Sequence, residues 1–300
     1  MSKKTFCILE QGKLINEPCT IEKRELFTTE FSDFYRLNWA TEDDPNAFIT
    51  AKGVTWSEGR SLLYREVPKD YEYYIFIDDD VTFVADEGVD IPKKIKELLD
   101  EYHPIAGTFY DPKQWAFLPI KASYEEFISR KCFPISGYDA ESQILSQSYA
   151  DVILPTIYHG AHRTDWYLQW VCYQTFPLKQ MCFTDIRVKN ARSGGHSKIQ
   201  KPQHYEPTEA LFLFNRHAKK PYPLLKKKDD ILKNNVEVFE RSVDKTPIEF
   251  TLKDLAKVYD IGNTDFKIRQ PTASSRYLYR KPWNRFVWKL VRKLTGEYKY

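Results

Sequence analysis

The strongest constraint on the fold is a run of β-favouring residues that leads directly into three acids. Tyr73–Ile77 (YYIFI) are aromatic or β-branched, as in a strand buried on both faces, and Asp78, Asp79 and Asp80 follow at once. Like charges at the mouth of a low-dielectric core are costly unless a proton or a cation compensates them. The segment therefore predicts a central strand whose carboxyl end holds a cation.

Strand-like and helix-like patterns alternate around this segment. Strands are predicted at 33–40, 47–55, 73–77, 104–110 and 150–158. Helices are predicted at 57–67, 92–103 and 164–176. The first 30 residues give no clear pattern. Such alternation favours a mainly parallel sheet covered by helices on both faces, in which ligands bind beyond the carboxyl ends of the strands.

The acids have the chemistry of a divalent-metal site. Side chains alternate along an extended strand, which would let Asp78 and Asp80 converge while Asp79 points elsewhere. Hard carboxylate oxygens select Mg²⁺ or Mn²⁺, and Mg²⁺ uses one or two protein carboxylates together with substrate phosphates. We therefore expect Asp78 and Asp80 to hold Mn²⁺ or Mg²⁺ on a diphosphate. The alternative is a solvated turn after an edge strand; Thr82 and Phe83 break the spacing of an EF-hand.

The apolar strand followed by DxD resembles the signature of nucleotide-sugar glycosyltransferases of GT-A fold, in particular DxD-containing, family-2-like enzymes. Residues 53–67 (GVTWSEGRSLLYREV) are similar to the helix that precedes the DxD strand in many of them. The resemblance covers residues 31–205 and implies a Rossmann-like αβα sandwich with a mainly parallel central sheet. It also implies that Arg60, Asp78 and Asp79 lie on the nucleotide side. The alternative for Arg60 is a cation on the helix surface.

The resemblance further implies a catalytic base at the start of a helix downstream of DxD. Residues 158–170 (YHGAHRTDWYLQW) place Asp165 after a glycine-containing turn, at the opening of an apolar helix. Asp165 is our candidate base, which would deprotonate the acceptor hydroxyl in an inverting transfer. The alternative is a carboxylate that only favours the helix dipole. Asp185 is the nearest rival, and Glu141 and Asp151 are weaker because no comparable strand, glycine and helix surround them.

A histidine completes the metal site in many relatives of this kind. Residues 190–198 (NARSGGHSK) place His196 after a predicted strand and two glycines that let the backbone approach a phosphate. We choose His196 as the third metal ligand over His204, His159 and His162. The alternative is a histidine that faces solvent.

Positive charge is concentrated at the end of the chain. Residues 276–300 carry eight Lys or Arg and one Glu, a surplus of seven; the whole chain carries +3, so the rest carries −4. Residues 280–294 (RKPWNRFVWKLVRKL) form an amphipathic helical pattern that suits an anionic membrane surface, or alternatively packs on the body. Because the body is acidic, nucleic acid is not an expected partner.

Two domains follow from this organisation: a GT-A catalytic domain over 1–220 and a C-terminal helical extension over 221–300. Five cysteines without CxxC spacing favour free thiols. The sequence has no signal-peptide pattern and no apolar stretch long enough to span a bilayer. We expect a cytoplasmic protein, with peripheral attachment at the inner face of the membrane through the basic helix.

The expected function is metal-dependent, inverting transfer of a sugar from a nucleotide-diphosphate donor to a glycan or lipid-linked acceptor. A UDP-sugar is favoured because UDP is the more common carrier in this fold, although neither Asp43 nor Asp44 can be matched to an acid that reads the base. Two alternatives remain. The same acids could serve a nucleotidyltransferase or a phosphohydrolase, and the fold could belong to a non-catalytic glycan-binding or scaffold protein.

Overall fold

The computed structural model describes ten segments of the chain, separated by gaps. They are residues 3–12, 18–39, 44–52, 54, 56–112, 130–135, 137–138, 140–156, 164–190 and 245–258.

One sheet of nine strands forms the centre of the described structure. The strands are β1 (Lys4–Gly12), β2 (Ser32–Asn38), β3 (Ile49–Thr50), β4 (Tyr71–Asp78), β5 (Val81–Val84), β6 (Ala106–Tyr110), β7 (Cys132–Pro134), β8 (Ser142–Ser146) and β9 (Gln180–Asn190). Their order is β3-β2-β1-β4-β8-β6-β9-β5, with β7 paired to β9. Strands β1, β2, β3, β4, β6 and β9 run parallel, whereas β8, β5 and β7 run antiparallel to their neighbours. The strand that leads into the acids, β4, is therefore central.

Helices cover both faces of this sheet. They are α1 (Pro18–Phe27), α2 (Trp56–Glu66), α3 (Ile91–Tyr102), α4 (Gln147–Ile153), α5 (Thr164–Thr175) and α6 (Leu252–Val258). Apolar residues of α2, α4, α5 and α6 pack in one core cluster, and those of α1 and α3 pack in a second. The described part is thus a three-layer αβα sandwich, as the sequence predicts.

The alternation of side chains explains why the central strands carry apolar residues on both faces. In β1, Cys7 and Leu9 enter the core on the α2 side, while Phe6 and Ile8 enter the core on the α1 side. A strand in the middle of a doubly covered sheet has no solvent face, so apolar residues are favoured at both sets of positions. The same pattern in β4 carries its buried run up to Ile77 and delivers Asp78 at the edge.

Helix α3 confirms the prediction made at 92–103 from the apolar periodicity. Asp90 caps its start, with the side chain accepting a hydrogen bond from the backbone N–H of Lys93 at 3.1 Å. Ile95, Leu98 and Leu99 are buried on one face. These local signals agree with the tertiary environment, which is why the element could be found from the sequence.

The strand predicted at 150–158 is wrong. Residues 147–153 form α4, and a short 3-10 helix follows at Leu154–Thr156. The side chain of Ser146 caps α4 by accepting from the N–H of Tyr149, and Tyr149, Ala150 and Ile153 turn into the core. The strand at this place in the chain is β8, which ends at the capping residue Ser146. The unassigned first 30 residues contain β1 and α1.

The C-terminal part is described only at 245–258. There Phe250, Leu255 and Val258 belong to the core cluster on the α2 side of the sheet. The predicted domain boundary at 220 and the basic helix at 280–294 lie outside the described residues, and both stay predictions. None of the helices in the described part has the length and apolar character needed to cross a bilayer.

Candidate functional site

The candidate site lies where β4 ends, at the carboxyl edge of the parallel strands. Asp78 is the last residue of β4, and its Oδ1 atom accepts from Trp56 Nε1 at 3.0 Å and from Arg60 Nη2 at 3.3 Å. Trp56 and Arg60 are four residues apart in α2, so they present one helical face to this edge. Because the Asp78 side chain is 30% exposed, it remains accessible to solvent at the edge.

Arg60 is buried, contrary to the alternative of a surface cation. Its guanidinium donates to the backbone carbonyl of Ala140 at 2.7 Å and to Gln143 Oε1 at 3.1 Å, and its side chain is 3% exposed. It also lies 3.8 Å from the centre of the Trp56 ring. A planar cation with several directed donors can bridge such acceptors, and stacking on an indole adds to its stability.

Asp79 and Asp80 form the turn that links β4 to β5, and both are nearly inaccessible. The extended strand ends at Asp78, so the alternation used to predict the directions of the three side chains does not apply beyond that residue. The Asp79 carboxylate instead packs on the backbone of Gly12, the last residue of β1. A Cβ atom at Gly12 would lie 2.0 Å from Asp79 Oδ2, so only glycine permits this approach.

Helix α5 begins at Thr164, which places the backbone of Asp165 in its first turn, as predicted. The side chain of Asp165 lies outside the described part. Since α5 leads into β9, which is parallel to β6, its first turn is at the same edge of the sheet as the end of β4. The structure therefore brings the start of α5 and the three aspartates to one edge.

A chain of hydrogen bonds connects α5 to Arg60. Gln169 of α5 exchanges two hydrogen bonds with the backbone of Tyr138, at 3.0 and 2.8 Å. The Tyr138 hydroxyl accepts from Gln143 Nε2 at 3.4 Å, and Gln143 in turn accepts from Arg60. The helix that carries the candidate base is thus tied to the residue that holds Asp78.

The three rival carboxylates occupy different places. Glu141 is 3% exposed, and its backbone carbonyl accepts from the N–H of Asp78 at 3.2 Å, so it adjoins the candidate site. Asp185 pairs with Lys94 of α3 at 2.9 Å. Asp151 accepts from the Tyr64 hydroxyl at 2.6 Å and belongs to α4, which begins at the opposite edge of the sheet. Of the three, only Glu141 borders Asp78.

The carboxylate ligands at the turn fit Mn²⁺ or Mg²⁺ bound together with a diphosphate. Carboxylates at positions 78 to 80 are hard oxygen ligands, and such metals take their remaining ligands from phosphates and water. Within the described ranges, no group of three or more His, Cys, Asp or Glu side chains is placed to bind a metal. His196, the predicted third ligand, is outside these ranges, as are the other three histidines considered.

The end of β2 carries a buried network of charges that the sequence analysis did not anticipate. Arg36 donates through Nε to Asp44 Oδ2 at 3.0 Å and through Nη1 to Glu10, and all three residues are buried. Burial lowers the pKa of Arg36, but the charges and hydrogen bonds of Glu10 and Asp44 outweigh it and raise that pKa overall. Asp44 also accepts from the N–H of Asn46 at 2.9 Å. This acid therefore links residues 44–46 to β2.

Sequence reasoning missed Trp56, Gln143 and the lysine at position 23. Trp56 directly precedes the helix predicted at 57–67, and the observed helix includes it, one turn before Arg60. Gln143 belongs to a short strand whose neighbours in the sheet are distant in sequence. Lys23 donates to the backbone carbonyls of Asp79 and Val81, each at 3.0 Å, from a helix that no pattern identified.

Comparison with known proteins identifies the fold. No protein-family model and no curated protein sequence matches the chain. Among solved structures, S. aureus TarS 1-349 in complex with UDP-GlcNAc matches with a TM-score of 0.50 and 11% identity, over 79% of this chain and 73% of that one. The structure of TarS 1-349 alone matches with a TM-score of 0.43 and 9% identity, over 60% of this chain and 58% of that one. Glucosyl-3-phosphoglycerate synthase from Mycobacterium tuberculosis, in complex with Mg²⁺ and UDP, matches with a TM-score of 0.40 and 12% identity, over 64% of this chain and 74% of that one.

The chain therefore has a glycosyltransferase fold of GT-A type, in agreement with the predicted α/β class and mostly parallel sheet. In the TarS 1-349 match without ligand, the aligned region spans 58% of that chain. At 8–13% identity the likeness concerns the fold, and the activity has to be argued from the site.

Proposed function

We propose that this protein is a metal-dependent, inverting glycosyltransferase that takes its sugar from a nucleotide-diphosphate donor, with a UDP-sugar favoured. The observation that carries the proposal is the end of β4. A central strand delivers Asp78 to the carboxyl edge, where Arg60 and Trp56 hold it and where Asp79 and Asp80 form the adjoining turn. In open α/β sheets this edge is where ligands bind.

The neighbour with UDP-GlcNAc supports the choice of donor. The described part of this chain shares its fold with TarS 1-349, whose structure contains that nucleotide sugar. A site of the same kind here would receive the diphosphate at Asp78 and Asp80, with His196 as the third ligand of Mn²⁺ or Mg²⁺. The metal, when bound, would neutralise charge on the departing nucleotide diphosphate.

In this proposal the protein's own groups have separate roles. Arg60 fixes Asp78 on the nucleotide side, and Asp79 packs beside the end of β1. Asp165, at the start of α5, would remove the proton of the acceptor hydroxyl as the anomeric carbon is attacked from the opposite face. The acceptor would be a glycan or a lipid-linked glycan, and the basic helix at 280–294 would hold the enzyme at an anionic membrane surface.

The decisive experiment combines nucleotide binding with transfer. Calorimetry with UDP-sugars and GDP-sugars, each with and without Mn²⁺, should show binding of UDP-sugars that depends on the metal. Asp80→Asn should abolish transfer and weaken this binding, whereas Asp165→Asn should abolish transfer and leave binding intact. Each loss should reach at least about 100-fold in rate, the scale of a missing acid–base or electrostatic group.

Asp70→Asn is the matched control, because Asp70 is exposed and precedes the opposite end of β4. It should alter neither binding nor transfer. Transfer that survives in Asp80→Asn or Asp165→Asn removes that residue from the mechanism. Binding without metal would favour a non-catalytic sugar-binding protein, and release of phosphate without sugar transfer would favour a phosphohydrolase.

A further inference from the structure

We infer that Lys23 is a positioning residue, which holds the turn containing Asp80 in the geometry needed to bind the donor diphosphate and its metal. The inference rests on the proposed function, since it assigns a task to a residue that touches neither donor nor metal. The contacts of the buried Lys23 ammonium group support this role.

The Lys23 ammonium has three N–H donors, and the structure provides three acceptors for them. Two are the backbone carbonyls of Asp79 and Val81, each at 3.0 Å, and the third is the Glu10 carboxylate. The Lys23 side chain is 5% exposed, so water does not compete for these donors. A buried ammonium whose N–H donors are all hydrogen-bonded is held in one position.

The two carbonyls lie on either side of Asp80. By binding the 79–80 and 81–82 peptide groups, Lys23 sets the path of the backbone through Asp80 and Val81, and thus the direction in which the Asp80 side chain leaves the turn. A misplacement of about 1 Å in a group that orients a substrate can reduce reactivity by about 100-fold. The position of this turn should therefore affect how well Asp80 binds the donor diphosphate and its metal.

The other side of Lys23 is anchored to the rigid part of the sheet. Glu10 belongs to β1 and is fully buried, and its Oε1 accepts from Thr20 at 3.0 Å and from Arg36 of β2. The lysine thus connects the acidic turn to two central strands through charged contacts at low dielectric. Charged hydrogen bonds of this kind are shorter and stronger than neutral ones.

Lys179, the last residue of a short 3-10 helix before β9, offers a matched control. It is 3% exposed, and its ammonium donates to the carbonyl of Thr246 at 3.0 Å and to that of Tyr102 at 3.4 Å. It directly precedes β9, at the edge opposite to the end of β4. Replacing either lysine removes a buried ammonium that caps carbonyls, but only Lys23 caps those of the acidic turn.

The test compares Lys23→Met and Lys179→Met in the full chain with two measurements. The first is hydrogen exchange of the peptide covering residues 78–82 in the absence of ligand, which should be faster by about ten-fold in Lys23→Met and unchanged in Lys179→Met. The second is calorimetry of UDP binding in Mn²⁺, where affinity should fall by about ten-fold in Lys23→Met alone. Lys23→Gln, whose neutral amide fills part of the same space, serves if Lys23→Met does not fold, and should change both readouts in the same direction.

The outcomes separate this inference from the proposed function. If wild type binds UDP with metal and both lysine variants bind equally well with the same exchange in the turn, the role of Lys23 is refuted and the proposed function stands. Faster exchange with unchanged UDP affinity also refutes it, because the turn would then be held without consequence for binding. If wild type binds no nucleotide with metal, the proposed function fails and the assignment of Lys23 fails with it.

Discussion

Arg60 of α2 donates to three acceptors on two other parts of the chain: Asp78 at the end of β4, and Gln143 and the carbonyl of Ala140 in and before β8. Arg60→Met would keep much of the side-chain volume but leave these buried acceptors without their donor, so we expect a loss of about 2–4 kcal/mol in the free energy of unfolding. Urea denaturation followed by circular dichroism would measure it. Arg65→Met, in the same helix at a side chain that is 70% exposed, should change stability by no more than about 0.5 kcal/mol. Equal effects of the two variants would show that the buried contacts of Arg60 contribute no more to the free energy of unfolding than the exposed side chain of Arg65 does.

The same residue marks how far the site can be predicted from the sequence. Arg60 and Asp78 were found because each lies in a locally recognisable element, a predicted helix and an apolar strand. Their contact depends on how α2 packs beside β4, which no local pattern encodes. Lys23 was missed for the converse reason, since its partners are backbone carbonyls about 56 residues away and leave no mark on the sequence around it.

Among the elements, those with a strong hydrophobic pattern were predicted, as in α3 and β4. The error at 150–158 shows the limit of the method. A short apolar run with β-branched residues is compatible with a strand or with a buried helix, and the deciding contact here is the cap from Ser146 to Tyr149. In such cases tertiary burial of Tyr149 and Ile153 overrides β-propensity.

At the level of elements, a prediction concerns helix α6 and the segment before it. Phe250 is 2% exposed, with ring contacts to Tyr149 at 4.7 Å and to Phe176 at 6.2 Å. Phe250→Ala should lower the free energy of unfolding by about 3–5 kcal/mol, because it leaves a cavity in the core on the α2 side. Leu252→Ala, two residues on at a side chain that is 61% exposed, should cost about 0.5 kcal/mol. A small effect of Phe250→Ala in urea denaturation would mean that residues 245–258 are not part of the folding unit.

For the molecule as a whole, the alternation of strands and helices was sufficient to predict the αβα class, because it allows few other ways to bury every apolar face. The strand order was not predictable from local patterns. Strand β8 inserts antiparallel between β4 and β6, and β9 continues the parallel part after a long interval of chain. These pairings depend on long-range contacts, and they determine which residues meet Asp78 at the edge.

A property of the whole molecule follows from its buried thiols. The four cysteines with described side chains, Cys7, Cys132, Cys172 and Cys182, are free and buried, and burial raises the pKa of each. For Cys132 the pKa rises from its ordinary value of 9.0 to about 12. Between these values the folded state keeps the proton while the unfolded state releases it. Stability is therefore complete below pH 9 and falls as the pH rises toward 12.

We expect the free energy of unfolding to decrease steeply above pH 9 in reducing buffer, with each such thiol contributing about 1.4 kcal/mol per pH unit. Cys132→Ala tests one contribution. The variant should unfold more easily than wild type at pH 7.5, where it has lost packing, but its stability should fall less steeply between pH 9 and about 10.5, by about 1.4 kcal/mol per unit. Urea titrations at several pH values would measure both slopes. Parallel slopes would mean that Cys132 ionises in the folded protein as readily as in the unfolded chain, and that the strand pair β7–β9 does not exclude water from it.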